Sequence, residues 1–577
     1  MKATYIADFE TTVKEEDCRV WLWGLYDIYT DSFTHGGDIT SFFNHLIKGP
    51  KATVYFHNLK FDGEFLIYHL FRSGFSHAEG RKLSNYQFST LITDMGVFYS
   101  ITIRVNDKTF IFYDSLKIIP LPVKKISKSF GIAQLKGEID YIKERPIGYI
   151  PDSEEIDYVR NDVEIVGKAL RYFFDQGLTK MTQASNAFSD FKKIMGEKTF
   201  NRLFPNLDAI DHDIRQSYKG GFVYANPLYQ GKLVGLGLVL DVNSLYPSVM
   251  YYCPLPYGEP ILYEGKYKPD KVYNLYIQMF RCNFEIKPGH LPTIQLKQSR
   301  GFLPTEYVTS SNGIDVTLCL TNVDHDLFME HYDVYNIEYF NGWKFKSSSK
   351  LFRDYIDKWN AIKVQASIDG NEGLRTLAKL MLNALYGKFG INPMVRSKLP
   401  IFNGEVVSYK LGDKDSRETI YLPVASFITS YARKTTIESC QLNYDRFLYA
   451  DTDSEHLIGL ELPTNLNIDP NKLGYWKHEG NFNKARFLRA KSYIENMYIP
   501  IEEYERLKPD KRKSWKFNEV ANVYEQVHIA CAGLPTSLHD KVTFDTFKDG
   551  MTIGGKLQHK RVKGGVILKN IDFTIKL

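Results

Sequence analysis

Two aspartates one residue apart, Asp451 and Asp453, constrain this chain more than any other stretch of its sequence. They lie between two apolar segments, 447–449 and 457–460, so the pattern predicts a strand, a sharp turn and a second strand. Two carboxylates at such a turn repel each other unless a cation lies between them, and Mg²⁺ prefers oxygen ligands of this kind. The alternative is an exposed hairpin tip whose acids are solvated.

A third acid, Asp241, follows the apolar segment 238–240 and is suited to hold a metal at the end of a buried strand. Pro247 then occupies a position that is typical of a helix start. We expect Tyr246, in the same segment, to lie under a nucleotide sugar. There it would leave no room for a 2′-hydroxyl and would select deoxynucleotides.

The strongest helix is predicted for residues 374–389. Lys379, Asn383 and Tyr386 are spaced four and three apart, which places them on one stripe of that helix. A stripe of cation, amide and aromatic ring suits a triphosphate, a nascent base pair and stacking. A solvent-facing stripe is the alternative. Lys363, on the preceding helix, would add a phosphate contact.

The N-terminal part supplies a second set of acids. Asp8 and Glu10 are two residues apart on a predicted strand and therefore share a face. Asp62 follows another strand, and Tyr158 and Asp162 are four apart on a predicted helix. Four carboxylates and one phenol suit two metal ions that activate water against a phosphodiester. An edge strand with solvated acids is the alternative for Asp8 and Glu10.

Basic residues concentrate in two segments, although the whole chain carries a formal charge of only +5. Residues 117–136 contain no acid and the lysines Lys117, Lys124, Lys125, Lys128 and Lys136. Residues 531–577 contain eight Lys or Arg against four Asp, a balance of +4. We expect a phosphate track in the first and a mobile arm on duplex phosphates in the second. A solvated face and a frayed tail are the alternatives.

With 577 residues, 44% of them hydrophobic, the chain is expected to form three to five ordered domains. Six scattered cysteines without metal-ligand spacing predict free thiols in a reducing cytosol. The N-terminus lacks a signal-peptide core and no apolar run approaches membrane-spanning length, so we expect no membrane association.

Taken together, these motifs resemble family B DNA polymerases. Segments 241–248, 379–387 and 449–454 resemble motifs A, B and C in order and spacing, and the acids near 8–10, 58–62 and 158–162 resemble a proofreading 3′→5′ exonuclease domain. Two inserted segments indicate the protein-primed DNA polymerases of small Bacillus-type tailed bacteriophages. In that subgroup the insertions serve the priming protein and wrap the template.

The resemblance implies roles for individual residues. The implied exonuclease metal ligands are Asp8, Glu10, Asp62 and Asp162, with Tyr158 assisting and Lys136 on the scissile phosphate. The implied polymerase metal ligands are Asp241, Val242 and Asp453, with Asp451 as a supporting acid. The implied nucleotide contacts are Val242, Tyr246, Lys363, Lys379, Asn383 and Tyr386. The implied DNA contacts are Asn58, Phe61, Ser115, Leu116, Tyr141, Tyr218, Gly220, Gly221, Thr429, Arg433, Lys491 and Tyr493, the last two on one strand face.

It also implies an α/β multidomain fold, an RNase H-like 3′→5′ exonuclease domain joined to a right-hand polymerase with two insertions. The expected bounds are exonuclease 1–182, palm 183–252 and 422–530, first insertion 253–349 built of strands and turns, fingers 350–393, a second insertion 394–421 forming a hairpin at Asn403-Gly404, and thumb 531–577.

The implied activity is template-directed, protein-primed replication of viral DNA with strand displacement and proofreading. Two Mg²⁺ ions per active site, with Mn²⁺ as a substitute, template–primer DNA, dNTPs and a terminal priming protein are the expected cofactors and partners. A monomer in the host cytoplasm is expected. Two rivals stay open: a nuclease with an inert polymerase half, which the intact Asp241 and Lys379 oppose, and a binding protein that uses the insertions as a scaffold.

Overall fold

The computed structural model describes residues 2–80, 82–133, 137–296 and 307–576. Lys136, predicted to contact the scissile phosphate, lies outside the described residues. Within those residues the strands form three large sheets and two separate hairpins. All six cysteines are free thiols. No helix in the described part of the chain has both the length and the apolar character needed to cross a membrane.

In the N-terminal sheet, the interior strand β1 is antiparallel to β2 and parallel to β4. Helix α4 packs over β1 and β2, where a Cβ on Gly167 would lie 2.5 Å from the ring of Tyr26. The elements are β1 (Ala3–Thr11), β2 (Val20–Asp27), β3 (Phe33–Gly36), α1 (Ile39–Lys48), β4 (Ala52–Phe56), α2 (Leu59–Arg72), β5 (Ser76–His77), β6 (Gln87–Ile92), β7 (Phe98–Val105), β8 (Lys108–Asp114), α3 (Val123–Ser129) and α4 (Ser153–Asp175).

Three helices then lead into a buried strand, β11, whose first four residues are buried. Its burial follows from its position between two neighbouring strands in the central sheet. The elements are α5 (Gln183–Met195), α6 (Glu197–Leu203), α7 (Asp211–Arg215), β9 (Val223–Ala225), β10 (Leu233–Val234), β11 (Gly237–Val242) and α8 (Leu245–Tyr252).

The first insertion forms its own sheet, with strand order β12-β15-β13-β14 among the described residues. The expectation of strands and turns alone was wrong, because helix α9 follows β14. Thr321 caps that helix by accepting a hydrogen bond from the backbone N–H of Asp324. The elements are β12 (Leu255–Glu264), β13 (Leu275–Ile286), β14 (Val316–Thr321), α9 (Asn322–His331) and β15 (Tyr332–Ser348).

The helix predicted for residues 374–389 is interrupted at Leu385, so the prediction of one continuous helix was wrong. The Tyr355 hydroxyl donates a hydrogen bond to the Met381 carbonyl at 2.7 Å. A continuous α-helix would use that carbonyl for the N–H of Leu385. The elements are α10 (Arg353–Ile368), α11 (Glu372–Ala384) and α12 (Tyr386–Phe389), with α10 and α11 packed as a helical hairpin.

The second insertion is a hairpin of β16 (Met394–Phe402) and β17 (Val407–Ser416), as predicted. We call it the inserted hairpin. The side chain of Asn403 accepts hydrogen bonds from the backbone N–H groups of Glu405 and Val406 at 3.0 and 2.8 Å. The predicted Asn-Gly pair therefore opens a four-residue loop.

The chain then returns to the central sheet, whose strand order is β22-β23-β21-β20-β11-β19-β18-β9 within the described residues. The elements are α13 (Leu422–Leu442), β18 (Phe447–Asp451), β19 (Ser454–Ile458), β20 (Trp476–Arg489), β21 (Ser492–Ile499), α14 (Ile501–Arg506), α15 (Pro509–Arg512), β22 (Lys516–Asn518) and β23 (Val523–Cys531). The chain ends in the C-terminal hairpin of β24 (Thr552–Val562) and β25 (Gly565–Thr574), which packs on α2 instead of fraying.

Candidate functional sites

The predicted strand–turn–strand around the two aspartates is confirmed. Strand β18 ends at Asp451 and β19 begins at Ser454, while Thr452 adopts a left-handed conformation with φ +61°. Asp241 on β11 pairs with Ser454 on β19. The N–H of Val242 donates to the Asp453 carbonyl at 2.7 Å. The sheet therefore brings the third acid beside the turn.

Burial and mutual repulsion act on the two acids predicted to bind metal. Burial, and next the charge of Asp453, raises the pKa of Asp241 to about 7, although Lys477 and Lys379 oppose the shift. Burial also raises the pKa of Asp453. Two half-buried carboxylates whose ionised forms are disfavoured by burial and by a neighbouring acid are a suitable donor set for a divalent cation. Val242 is fully buried and has no polar side-chain atom, so any contact with a metal or a nucleotide would use its backbone carbonyl.

Asp451 has a different electrostatic partner. The ammonium of Lys491 lies 2.7 and 2.8 Å from its two carboxylate oxygens. Lys491 lies in the turn between β20 and β21 with φ +56°, so the prediction that it shares a strand face with Tyr493 was wrong. Its backbone N–H donates to the Tyr449 hydroxyl at 2.8 Å. The ion pair already neutralises Asp451 without a metal, in keeping with a supporting role.

Three of the predicted nucleotide contacts, Tyr246, Tyr386 and Lys379, lie close enough to Asp453 to interact with it electrostatically. The rings of Tyr246 and Tyr386 stack with centroids 4.1 Å apart. Lys379 is close enough to lower the pKa values of both Asp241 and Asp453. Burial, followed by repulsion from Arg375 and Lys379, lowers the pKa of Lys363, so α10 and α11 present cations toward each other. Asn383 is exposed on α11.

Of the paired glycines, Gly221 packs against the turn at Thr452. A Cβ on Gly221 would lie 2.8 Å from the Thr452 hydroxyl oxygen, and the N–H of Thr452 donates to the Phe222 carbonyl at 2.6 Å. The hydroxyl end of Tyr218 lies against Gly390, where a Cβ would approach it to 2.4 Å. Close backbone approach is therefore what glycine provides at position 221.

Thr429 and Arg433, predicted DNA contacts, are inside the protein in this structure. The Thr429 hydroxyl donates to the Ala425 carbonyl. Arg433 is 3% exposed; it pairs with Asp324 and donates to the Gly220 carbonyl at 2.7 Å. Arg433 thus holds the backbone at Gly220, and a direct contact between Arg433 and DNA stays a prediction. Asp324 lies outside the sequence motifs, although the Thr321-x-x-Asp324 spacing is typical of a helix cap.

The acids of the N-terminal sheet line one cavity of about 730 Å³. Asp62 is buried, and its Oδ1 has no hydrogen-bond partner among the described residues. Burial, and next the charge of Asp8, raises the pKa of Asp62 well above its usual range. A buried carboxylate oxygen without a donor fits a metal ligand. The predicted residues on the cavity wall are Asp8, Glu10, Asn58, Phe61, Asp62, Tyr141, Tyr158 and Asp162.

Other predicted residues hold different positions around this cavity. The hydroxyls of Tyr141 and Tyr158 lie 3.1 Å apart. Ser115 is fully buried and donates to the Phe56 carbonyl, while His57, which lines the cavity, bonds to its hydroxyl at 2.9 Å. The N–H of Leu116 donates to Asp114. Ser115 and Leu116 therefore support the wall from behind.

No three His, Cys, Asp or Glu side chains in the described ranges are gathered closely enough to hold an ion alone. Mg²⁺ usually takes one or two protein carboxylates and completes its shell with water and substrate phosphates. Mg²⁺ at both sites stays a prediction.

A family model for DNA polymerase type B, organellar and viral, matches residues 44–469. The chain belongs to this family. It is 45% identical to the DNA polymerase of Bacillus phage phi29 over 99% of both chains, and 34% identical to that of Streptococcus phage Cp-1 over 100% of this chain and 99% of the relative.

Solved structures agree with this assignment. The phi29 DNA polymerase complexed with primer–template DNA and incoming nucleotides matches with a TM-score of 0.92 at 42% identity, covering 100% of both chains. The same enzyme complexed with single-stranded DNA matches with a TM-score of 0.91. The predicted resemblance to Bacillus phage DNA polymerases and the predicted fold, an exonuclease domain joined to a polymerase domain, are confirmed. The exact domain bounds stay predictions.

Proposed function

We propose that this DNA polymerase replicates viral DNA on template–primer DNA from dNTPs, using protein priming, strand displacement and 3′→5′ proofreading, in the host cytoplasm during infection. The observation that carries the polymerase assignment is the pairing of β11 with β19, which sets Asp241 beside the turn of Asp453. Relatives solved with primer–template DNA and incoming nucleotides support the substrates.

At the polymerase site, Asp241, Asp453 and the backbone of Val242 would hold two Mg²⁺ ions, with Mn²⁺ as a substitute. The ions would supply charge stabilisation for the entering and leaving oxygens of an in-line displacement. Lys379 and Lys363 would bind the triphosphate. Because its ring lies on that of Tyr386, Tyr246 is held as a flat platform that would exclude a 2′-hydroxyl.

At the exonuclease site, Asp8, Glu10, Asp62 and Asp162 would hold the metal ions. Burial is the largest cause that raises the pKa of Tyr158, so its phenol stays protonated at neutral pH. A neutral phenol orients an attacking water by hydrogen bonding and does not remove its proton.

The two activities are assigned to separate sites, so a mutation in one site should abolish one activity and spare the other. Asp453→Ala should abolish primer extension and leave degradation of single-stranded DNA intact. Asp8→Ala combined with Glu10→Ala should do the reverse. Both are measured with Mg²⁺ on one end-labelled primer, with and without template and dNTPs. Loss of both activities in either variant would contradict the two-site assignment, and lack of extension by the unmodified chain would favour the inert-polymerase rival.

Protein priming rests on the two insertions, the sheet at 255–348 and the inserted hairpin, which the resemblance links to a terminal protein. The test incubates the polymerase with candidate terminal proteins, Mg²⁺ and labelled dATP. A covalent protein–nucleotide adduct is expected on a serine, threonine or tyrosine hydroxyl. Label that appears only on DNA primers, with every candidate, would contradict protein priming.

A further inference from the structure

One buried carboxylate joins three parts of the chain that are far apart in sequence. Glu64, on α2, is 2% exposed. Its Oε1 accepts a hydrogen bond from Nε of Arg561 on β24 at 2.9 Å. Its Oε2 accepts one from the hydroxyl of Tyr409 on β17 at 3.0 Å. The Arg561 guanidinium also lies over the Tyr409 ring, 4.5 Å from its centroid.

Burial would penalise the Glu64 charge if it were alone. Each partner satisfies a different carboxylate oxygen, and the two partners also contact each other. Removal of one member therefore leaves the others incompletely paired, so we expect the three to act as a unit.

The tip of the C-terminal hairpin is seated on the N-terminal domain. A Cβ on Gly565 would lie 2.5 Å from the ring of Phe65, and one on Gly564 would lie 1.8 Å from the Cys18 carbonyl oxygen. The Cys18 thiol donates to the Val566 carbonyl at 3.6 Å. There is no room for a side chain at either glycine, because the hairpin backbone packs directly against Cys18 and Phe65. We therefore expect this contact to resist small changes in the angle of the hairpin.

The same hairpin forms one wall of the proposed nuclease cavity. The ring of His559 on β24 meets that of Phe61 edge-on, with centroids 5.9 Å apart. The hairpin residues on the wall are Leu557, His559, Val566, Ile567, Leu568 and Asn570. The acids on the other walls and the hairpin therefore enclose one space, although even the nearest of them in sequence, Asp162 and Leu557, are 395 residues apart.

We propose that Glu64, Tyr409 and Arg561 form a clamp that positions the C-terminal hairpin as a wall of the nuclease cavity and so sets the affinity of that cavity for a single-stranded 3′ end. All three are positioning residues. Because Tyr409 belongs to the inserted hairpin, the clamp makes this affinity depend on the insertion. The proposal rests on the proposed exonuclease function.

Glu64→Ala should raise the KM for degradation of a single-stranded oligonucleotide by about tenfold while kcat changes by less than about twofold, because the metal-binding acids stay in place. The matched control is Glu15→Ala. Glu15 lies in the N-terminal domain and pairs with Lys560 of the same hairpin, but both side chains are exposed, so we expect KM to stay within about twofold. A fall in kcat at unchanged KM in Glu64→Ala would overturn the proposal.

Arg561→Ala should reproduce the KM of Glu64→Ala, and the double variant should be no worse than either single one, because one unit is broken in every case. Tyr409→Phe keeps the ring under Arg561 and removes one donor, so a smaller rise is expected. Multiplicative effects in the double variant would show that the residues act independently and would overturn the clamp.

Two measurements without catalysis separate this inference from the exonuclease assignment. Hydrogen exchange of segment 552–574 should be faster in Glu64→Ala, and a 3′-ended oligonucleotide should bind more weakly in EDTA. If Asp8→Ala with Glu10→Ala left degradation intact, the exonuclease assignment would fail while both measurements still reported the clamp. Unchanged exchange and unchanged binding in Glu64→Ala would overturn the clamp itself.

Discussion

The buried pair of Arg433 and Asp324 offers the sharpest test of the reasoning, because family resemblance and structure give Arg433 different surroundings. Its guanidinium donates to Asp324 through Nε at 3.1 Å, to the Ser430 hydroxyl at 3.0 Å and to the Gly220 carbonyl at 2.7 Å. Arg433→Met keeps most of the volume and leaves the Asp324 charge buried without its cation. Breaking a buried pair in this way costs about 3–5 kcal/mol.

The expected loss is seen in thermal unfolding. For a cooperative unit of roughly 150–250 residues, about 2–4 °C is lost per kcal/mol, so Arg433→Met should lower Tm by on the order of 10 °C. Arg433→Met with Asp324→Leu removes both charges and should recover most of that loss. Arg375→Met, which breaks an exposed pair with Glu372, should cost less than about 1 kcal/mol. A double variant as unstable as the single one would refute the reasoning.

DNA binding by the same double variant decides whether Arg433 also contacts a phosphate. If it acts only from the interior, the slope of log Kd against log salt for primer–template DNA should equal that of the unmodified chain. A direct phosphate contact would reduce the slope by about one. A slope reduced by that amount would contradict the interior role and favour the DNA contact that the resemblance implies.

Three further outcomes are expected. Tyr246→Val should admit ribonucleotides in primer extension, because the platform stacked on Tyr386 is lost; unchanged sugar selectivity would remove the steric role. Since the pKa of Asp241 is raised to about 7, protons compete with metal below that pH, so half-maximal extension should require more Mg²⁺ at pH 6 than at pH 8; equal requirements would contradict this. Gly221→Ala should slow extension and spare degradation, because its Cβ would press 2.8 Å from the Thr452 hydroxyl oxygen; a normal extension rate would show that the loop yields.

Much of the polymerase site was predictable from local patterns. The turn at 451–453 and strand β11 were predicted from apolar segments that end in acids. Such patterns are informative because strand and turn preferences depend on residues only a few positions apart. The helix that carries Tyr158 begins at a capping box of a kind that the sequence spacing specifies, where Asp152 accepts a hydrogen bond from the N–H of Glu155 at 2.9 Å. The sequence alone therefore predicted which acids lie at strand ends and that Tyr158 and Asp162 share one face of a helix.

Partners from distant parts of the chain were not predictable in the same way. Lys491 pairs with Asp451 only because β20 and β21 bring it beside the turn. The Tyr355 hydroxyl reaches the Met381 carbonyl on α11 only because α10 and α11 pack side by side. The positive charge of Arg433 suits a DNA contact, yet the side chain is buried and paired with Asp324. A side chain's charge is local information, whereas its burial depends on every element around it.

Residue type and short spacing along the chain were enough to predict the family, the order of its motifs and the acids of the two candidate sites. Tertiary packing alone makes the C-terminal hairpin a wall of the acid-lined cavity and joins it through Glu64 to the inserted hairpin. The physical reason is that a buried carboxylate must find its donors wherever the fold brings them, and spacing along the chain does not specify that meeting.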